Sequence, residues 1–254
     1  MKNETKRFPV FHVPHDGALF PEELMVSVCV SKDQFMRYHE QMRDISALEM
    51  VPPAWRNQEH TLYFPVSRLL CDVERFLGPE EPMERHGMGF CYERAFDGRQ
   101  IKTVTEEVKQ KTLRYYQQHH DLLDQICGRH VRVLLLDLHS FSDEIVPHDQ
   151  LRQGESTPDV CLGIDDKYTP PELSFAVECV LHESGFSTAR NYPYSGCLVP
   201  NALLNGTSRC DCVSIMLEWN KRFYCDEHST PGKERLDQIR KTIARIVSVC
   251  EDLV

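Results

Sequence analysis

The residues of this chain best suited to chemistry stand where apolar runs give way to polar side chains. In VRVLLLDLHS, residues 131–140, branched apolar residues end in Asp137, His139 and Ser140. His12 and His15 follow an early apolar segment, and Glu218 follows a late one, SIML. Asp137 and His139 are two apart, so on an extended backbone they share a side. A carboxylate beside an imidazole can fix its tautomer and orient it towards a metal. A catalytic zinc takes about three nitrogen or carboxylate ligands and keeps a position for water. Histidines from separate segments with a distant glutamate meet that need, although no HExxH-type motif is present. The same pattern also fits a buried strand that ends in polar loop residues. Guanidinium groups form a second set: Arg68 and Arg75 bracket SRLLCDVER, Arg94 lies in YERAFDGR and Arg190 precedes NYPYSG. Arginine grips a carboxylate through two parallel hydrogen bonds, so an arginine in a site points to an acidic substrate; an exposed or ion-paired arginine reads the same way in sequence.

The elements that must position these groups alternate between strand and helix. Residues 8–13 read as a first strand, ended by Pro14 and the turn-prone Asp16-Gly17. Residues 32–50 have helical character and stop before Pro52-Pro53. Residues 62–70 and 71–73 read as one or two strands, and residues 78–98, rich in Gly, Pro and charge, as an ordered excursion. Residues 102–128 form the strongest helix candidate, followed by the apolar run at 131, which predicts a strand buried on both faces. Residues 172–184 predict a helix introduced by Pro170-Pro171 and closed by Gly185. Residues 214–217 read as a late strand ending at Glu218, and 233–253 as a closing amphipathic helix. Strands alternating with helices predict one α/β domain over residues 1–254, with a mixed or mainly parallel sheet. Ligands gather at the carboxyl ends of the strands in such sheets, where His139 falls.

The chain has 254 residues and a net charge of −10, with 39 acidic against 29 basic side chains. That balance argues against general affinity for nucleic acid or anionic membrane, which need basic surface, but permits a local basic pocket for a small anionic substrate. No run of 18 apolar residues predicts a membrane-spanning helix, and the first residues lack the apolar core of a secretory signal. Eleven cysteines with irregular spacing and no CxxC read as mostly reduced thiols of a cytoplasmic protein. Cys29, Cys71 and Cys179 stand in apolar surroundings, where cysteine acts as a small hydrophobe. His119-His120 reads as a helix face rather than a ligand pair, His148 and His228 as loop residues, and Cys210-x-Cys212 as structural. His12 could serve as a ligand in place of His15, but its alternation with Phe11 and Val13 suits an inward-facing strand position.

PHDG at 14–17, FPVSRLLCDVERF at 64–76, DLHSF at 137–141, NYPYSGCLVP at 191–200 and MLEWNKRFY at 216–224 stand in an order that resembles the N-formylglutamate amidohydrolases. The resemblance runs from about residue 9 to the carboxyl terminus. It implies a zinc carboxypeptidase-like, aspartoacylase-like α/β fold (a phosphorylase/hydrolase-like architecture) with a mixed sheet of about eight strands flanked by helices. It implies one Zn²⁺ per chain, held by His15, Asp44 and His139, with Asp137 and Ser140 behind the ligands. Asp44 lies in QMRDISALE, which departs from relatives in placing Ile45 where they have an aromatic residue and Leu48 where they have a second acid. Glu218 matches the general base and Arg75 the arginine that holds the substrate carboxylate, while Glu74 stands where relatives often have Asn. Arg68, Arg94, Asn191 and Tyr194 match pocket-lining positions. The implied reaction is hydrolysis of an N-acyl acidic amino acid, N-formyl-L-glutamate first. Alternatives are a zinc carboxypeptidase or amidase on small peptides or cell-wall fragments, or a non-catalytic relative that binds an acidic ligand. The oligomeric state is open.

Overall fold

The computed structural model describes residues 6–78, 80–146, 151–152 and 154–253. In chain order the elements are β1 (Phe8–Val13), α1 (Glu22–Met25), α2 (Lys32–Met42), α3 (Ala47–Met50), β2 (Thr61–Tyr63), α4 (Glu106–Gly128) and β3 (Arg132–Phe141). There follow β4 (Val160–Gly163), α5 (Pro171–Glu183), β5 (Thr188–Arg190), α6 (Asn201–Leu204), β6 (Asp211–Asn220), α7 (Lys221–Tyr224) and α8 (Lys233–Cys250). The strands form one mixed sheet in the order β2-β1-β3-β6-β4-β5. β3 runs parallel to both β1 and β6, β4 parallel to β5, and β4 antiparallel to β6. The fold is thus an α/β architecture with helices around a mixed sheet, and six strands replace the expected eight among the described residues.

The strand reading of residues 62–73 fails over most of its length. Only Thr61–Tyr63 pairs as a strand. Pro65 has no N–H for a ladder, and the backbone then closes a turn in which Leu70 N and Cys71 N both donate to Ser67 O. The helix expected over 32–50 is also interrupted. Ser31 caps α2 with a capping box to Gln34, the helix ends at Met42, and Ser46 takes a left-handed φ of 62° before α3. The other long elements fall where the sequence puts them. β3 and β6 run further than expected, however, so Asp137, His139 and Glu218 are strand residues rather than the first residues beyond a strand.

The described residues fall into two compact units. The first spans residues up to Val13, Ser46–Leu62 and Leu123–Val254. It contains the sheet core, where Val10, Val133 and Leu135 pack with Leu62, Leu123, Ile126 and Cys127. In the same unit α5 packs on α8, whose Leu236, Ile239, Ile243, Ile246 and Val247 form one buried stripe. The second unit, Pro14–Ile45 with Tyr63–Leu122, is built from α1, α2, most of α4 and long loops around Phe35, Leu69, Leu70, Tyr92 and Ile101. Gly17 belongs to it: a Cβ there would lie 2.5 Å from Phe64 O, so only glycine allows residues 17–19 to run against 64–67. No described helix is long and apolar enough to cross a membrane.

Eleven free cysteines are described. Cys71 is buried as expected, whereas Cys29 is exposed and Cys179 only partly covered.

Candidate functional site

The candidate residues form two clusters, one within each unit. In the first, strand register does the positioning. β1 pairs His12 with Asp137, and β3 pairs His139 with Glu218, so the alternation of strands sets His12, Asp137, His139 and Glu218 on one face of three adjacent strands. Asp137 Oδ1 lies 2.8 Å from His12 Nδ1 and 3.1 Å from His139 Nε2, and Oδ2 accepts Leu198 N at 3.4 Å. One carboxylate oxygen therefore accepts an N–H from each imidazole. Burial alone would raise the Asp137 carboxyl, but the two imidazoles overcome it and hold the group well below the usual carboxylate range. Glu218 is almost wholly buried beside this cluster, opposite Cys161 of β4.

His12, read as an inward-facing strand residue, thus shares Asp137 Oδ1 with His139. Ser140 falls on the opposite face of β3, paired in register with Trp219, whose ring meets Phe186 edge-on at 5.1 Å. Asn191 closes a turn: its Oδ1 accepts Ile164 N at 2.8 Å and Gly196 N at 3.3 Å. The Tyr194 ring packs edge-on against Phe141, and its carbonyl accepts the Cys161 thiol at 3.1 Å. Arg190 is tied to Glu178 at the sheet edge.

The second cluster has no strand to set it. Its centre is Asp72, fully buried and surrounded by donors from three stretches of chain. Oδ1 lies 2.9 Å from His15 Nε2 and accepts Glu74 N at 3.1 Å. Oδ2 accepts Tyr92 Oη at 2.7 Å and Arg68 Nη2 at 3.0 Å, with Arg75 Nε at 3.5 Å. Burial pushes this carboxyl up, yet His15, Arg68 and Arg75 outweigh it and keep it ionised, well below its ordinary range. Because Nε2 of His15 is spent on Asp72, Nδ1 is the nitrogen turned towards Asp44 Oδ2 at 3.6 Å and Glu74 Oε2 at 3.7 Å. Burial and the Arg68 charge oppose the imidazolium, but Asp72 and Asp44 raise the His15 pKa on balance. Asp44 sits in the break between α2 and α3, fixed by its own N–H to His15 O at 3.0 Å. That break, which the helical reading of residues 32–50 did not foresee, is what lets Asp44 reach His15.

Arg68 and Arg75 keep partly exposed guanidinium groups backed by Asp72, so each can offer its outer edge to an anion. Arg94 is exposed and donates to Gly98 O within its own turn. Asp72 and Tyr92 carried no assigned role in the sequence; the available signal was an acid four residues after Arg68 and three before Arg75, the spacing of ion pairs on one helical turn. His119 and His120 are packed, His119 edge-on to Phe64 and His120 Nε2 at 2.7 Å from Val73 O. His228 lies on an exposed turn, and His148 falls outside the described residues.

The solved structure of N-formylglutamate amidohydrolase from Ralstonia eutropha JMP134 shares the fold, with a TM-score of 0.75 at 22% identity over 97% of this chain and 94% of that one. A gene product of Agrobacterium tumefaciens shares it too, at TM-score 0.63 and 18% identity, covering 97% of this chain and 93% of that one. No curated protein matches the sequence. The model of the N-formylglutamate amidohydrolase family matches residues 9–225, a span that includes both clusters, and the chain belongs to that family.

Proposed function

We propose that this chain is a zinc-dependent amidohydrolase that splits N-formyl-L-glutamate into formate and L-glutamate. Family membership carries the reading. The clusters support it by supplying buried histidines oriented by carboxylates, a buried glutamate and two carboxylate-gripping arginines.

The donor chemistry fits a zinc ion. Ligand atoms about 2.0–2.1 Å from a tetrahedral zinc lie roughly 3.3 Å apart, and His15 Nδ1 and Asp44 Oδ2 are 3.6 Å apart. Asp72 behind His15 and Asp137 behind His139 are the outer carboxylates that such histidines use. His15, Asp44 and His139 would hold the ion, and when bound it supplies Lewis acidity to the acyl carbonyl and a water of lowered pKa.

The remaining tasks belong to side chains. Glu218 accepts the proton of the attacking water and returns it to the departing amine nitrogen. Arg75 holds a substrate carboxylate and so fixes the amide in place. Arg68, beside it on Asp72, adds positive charge where the tetrahedral oxyanion develops. The two units act in this reading as one amidohydrolase domain over residues 1–254.

The test is formate release from N-formyl-L-glutamate, with zinc content measured on wild type and His139→Ala. About one zinc per chain, lost in the variant, with formate produced only by the wild type, is the expected result. A protein that takes up no zinc and releases no formate would sink the proposal.

A further inference from the structure

Away from both clusters, the second unit buries a lysine beside a thiol. Lys102 is fully buried, and its Nζ donates to Leu70 O at 3.2 Å and to Cys91 Sγ at 3.6 Å. No carboxylate lies within ion-pair distance of it among the described residues. Cys91 Sγ is also 3.5 Å from Thr112 Oγ1, and Cys71 Sγ donates to Thr112 O at 3.7 Å, so one amine and two thiols share a single buried pocket. Burial disfavours the charged form of such an ammonium, and its neutral form is a nucleophile. Burial lowers the Lys102 pKa in keeping with this.

We propose that Cys91 and Lys102 are an oxidative modification site, at which hydrogen peroxide generates a sulfenamide bond between Cys91 Sγ and Lys102 Nζ. In the first step Sγ attacks one peroxide oxygen, the O–O bond breaks and water leaves, giving the sulfenic acid; sulfur is oxidised and peroxide reduced. In the second, Nζ attacks the sulfur, the S–N bond forms, the S–O bond breaks, and the departing hydroxide takes the amine proton as water. Two equivalents of a small thiol reverse the link, restoring thiol and amine and leaving a disulfide of the reductant.

The pair also stands on both flanks of Asp72. Leu70, which accepts from Lys102, lies two residues before Asp72, and Tyr92, next to Cys91, donates to its carboxylate. Asp72 N in turn donates to Phe90 O at 2.9 Å. Drawing Nζ onto Sγ releases Leu70 O and pulls on the two segments that hold the carboxylate to which Arg68, Arg75 and His15 are attached.

Peptide mapping of the peroxide-treated full-length protein tests the site. Arg94 and Arg99 separate the two residues, so trypsin would release them on different peptides. The expected product is residues 86–94 linked to residues 100–109, weighing two hydrogens less than those two peptides together, with cleavage after Lys102 lost. The pair should be absent from Cys91→Ser and split by dithiothreitol. Cys91 recovered as a sulfenic or sulfinic acid with Lys102 unmodified, a Cys71–Cys91 disulfide, a link that retains the oxygen, or no oxidation would overturn the proposal. Mapping the wild type decides the matter even where a variant fails to fold.

Discussion

The two clusters set similar side chains by different means. In the first unit, the hydrogen-bond ladders of β1, β3 and β6 place His12, Asp137, His139 and Glu218, and each strand is locked by apolar burial along its length. In the second, His15, Arg68, Arg75 and Tyr92 come from loops and turns, and their shared partner is one carboxylate, Asp72. A ladder spreads the positioning over many backbone bonds, whereas a hub concentrates it in one side chain. The sheet-built cluster should therefore tolerate loss of its acid better than the loop-built one.

Substitutions can break or sharpen that contrast. Glu218→Gln keeps the strand and its register, so kcat on N-formyl-L-glutamate should fall by about 10³-fold, with zinc content and thermal unfolding unchanged. Near-normal turnover would remove Glu218 from the role of base. Asp72→Ala strips a buried counter-charge from two arginines and a histidine and should cost about 3–5 kcal/mol in urea unfolding. Asp137→Asn leaves the ladder and one acceptor oxygen in place, and should cost about 1–3 kcal/mol. If Asp137→Asn proves the more damaging of the two, the distinction between ladder and hub is wrong.

Arg75→Lys keeps the charge but loses the two-pronged grip. It should raise KM for N-formyl-L-glutamate roughly tenfold while kcat changes little. The smallest effect is a pH dependence of stability within the second unit. His39 is buried against the Phe20 ring and 3.0 Å from Ser67 Oγ, and burial lowers its pKa to about 4. The unfolded chain protonates this group near its ordinary value of about 6.5, before the folded chain can, so stability should drop as pH falls from about 6.5 towards 4. The urea midpoint of His39→Asn should fall less steeply over that window; an identical profile for both proteins would refute the assignment.

Much of the sheet-built cluster was legible beforehand. The run 131–136 announces a doubly buried strand, and a two-residue spacing on a strand can only put Asp137 and His139 on one side. The loop-built cluster was legible only in its motif residues. The Asp44 break rests on the ends of α2 and α3, the turn at 67–71 replaced a predicted strand, and Asp72 gained its role by collecting partners up to 57 residues away. Residues 160–163 and 188–190 were also not anticipated as strands, because three or four residues give too short a pattern to separate from loop.

Local chemistry thus determined the long strands, the long helices and the kinds of side chain available for a site, since periodicity and the polar breaks in it are properties of neighbouring residues. Tertiary structure alone decided which carboxylates His12 and His15 meet, which way each ring turns its second nitrogen, and that a lysine is buried against a thiol. Those outcomes depend on burial and on hydrogen bonds between residues far apart in the chain, and no local pattern encodes them.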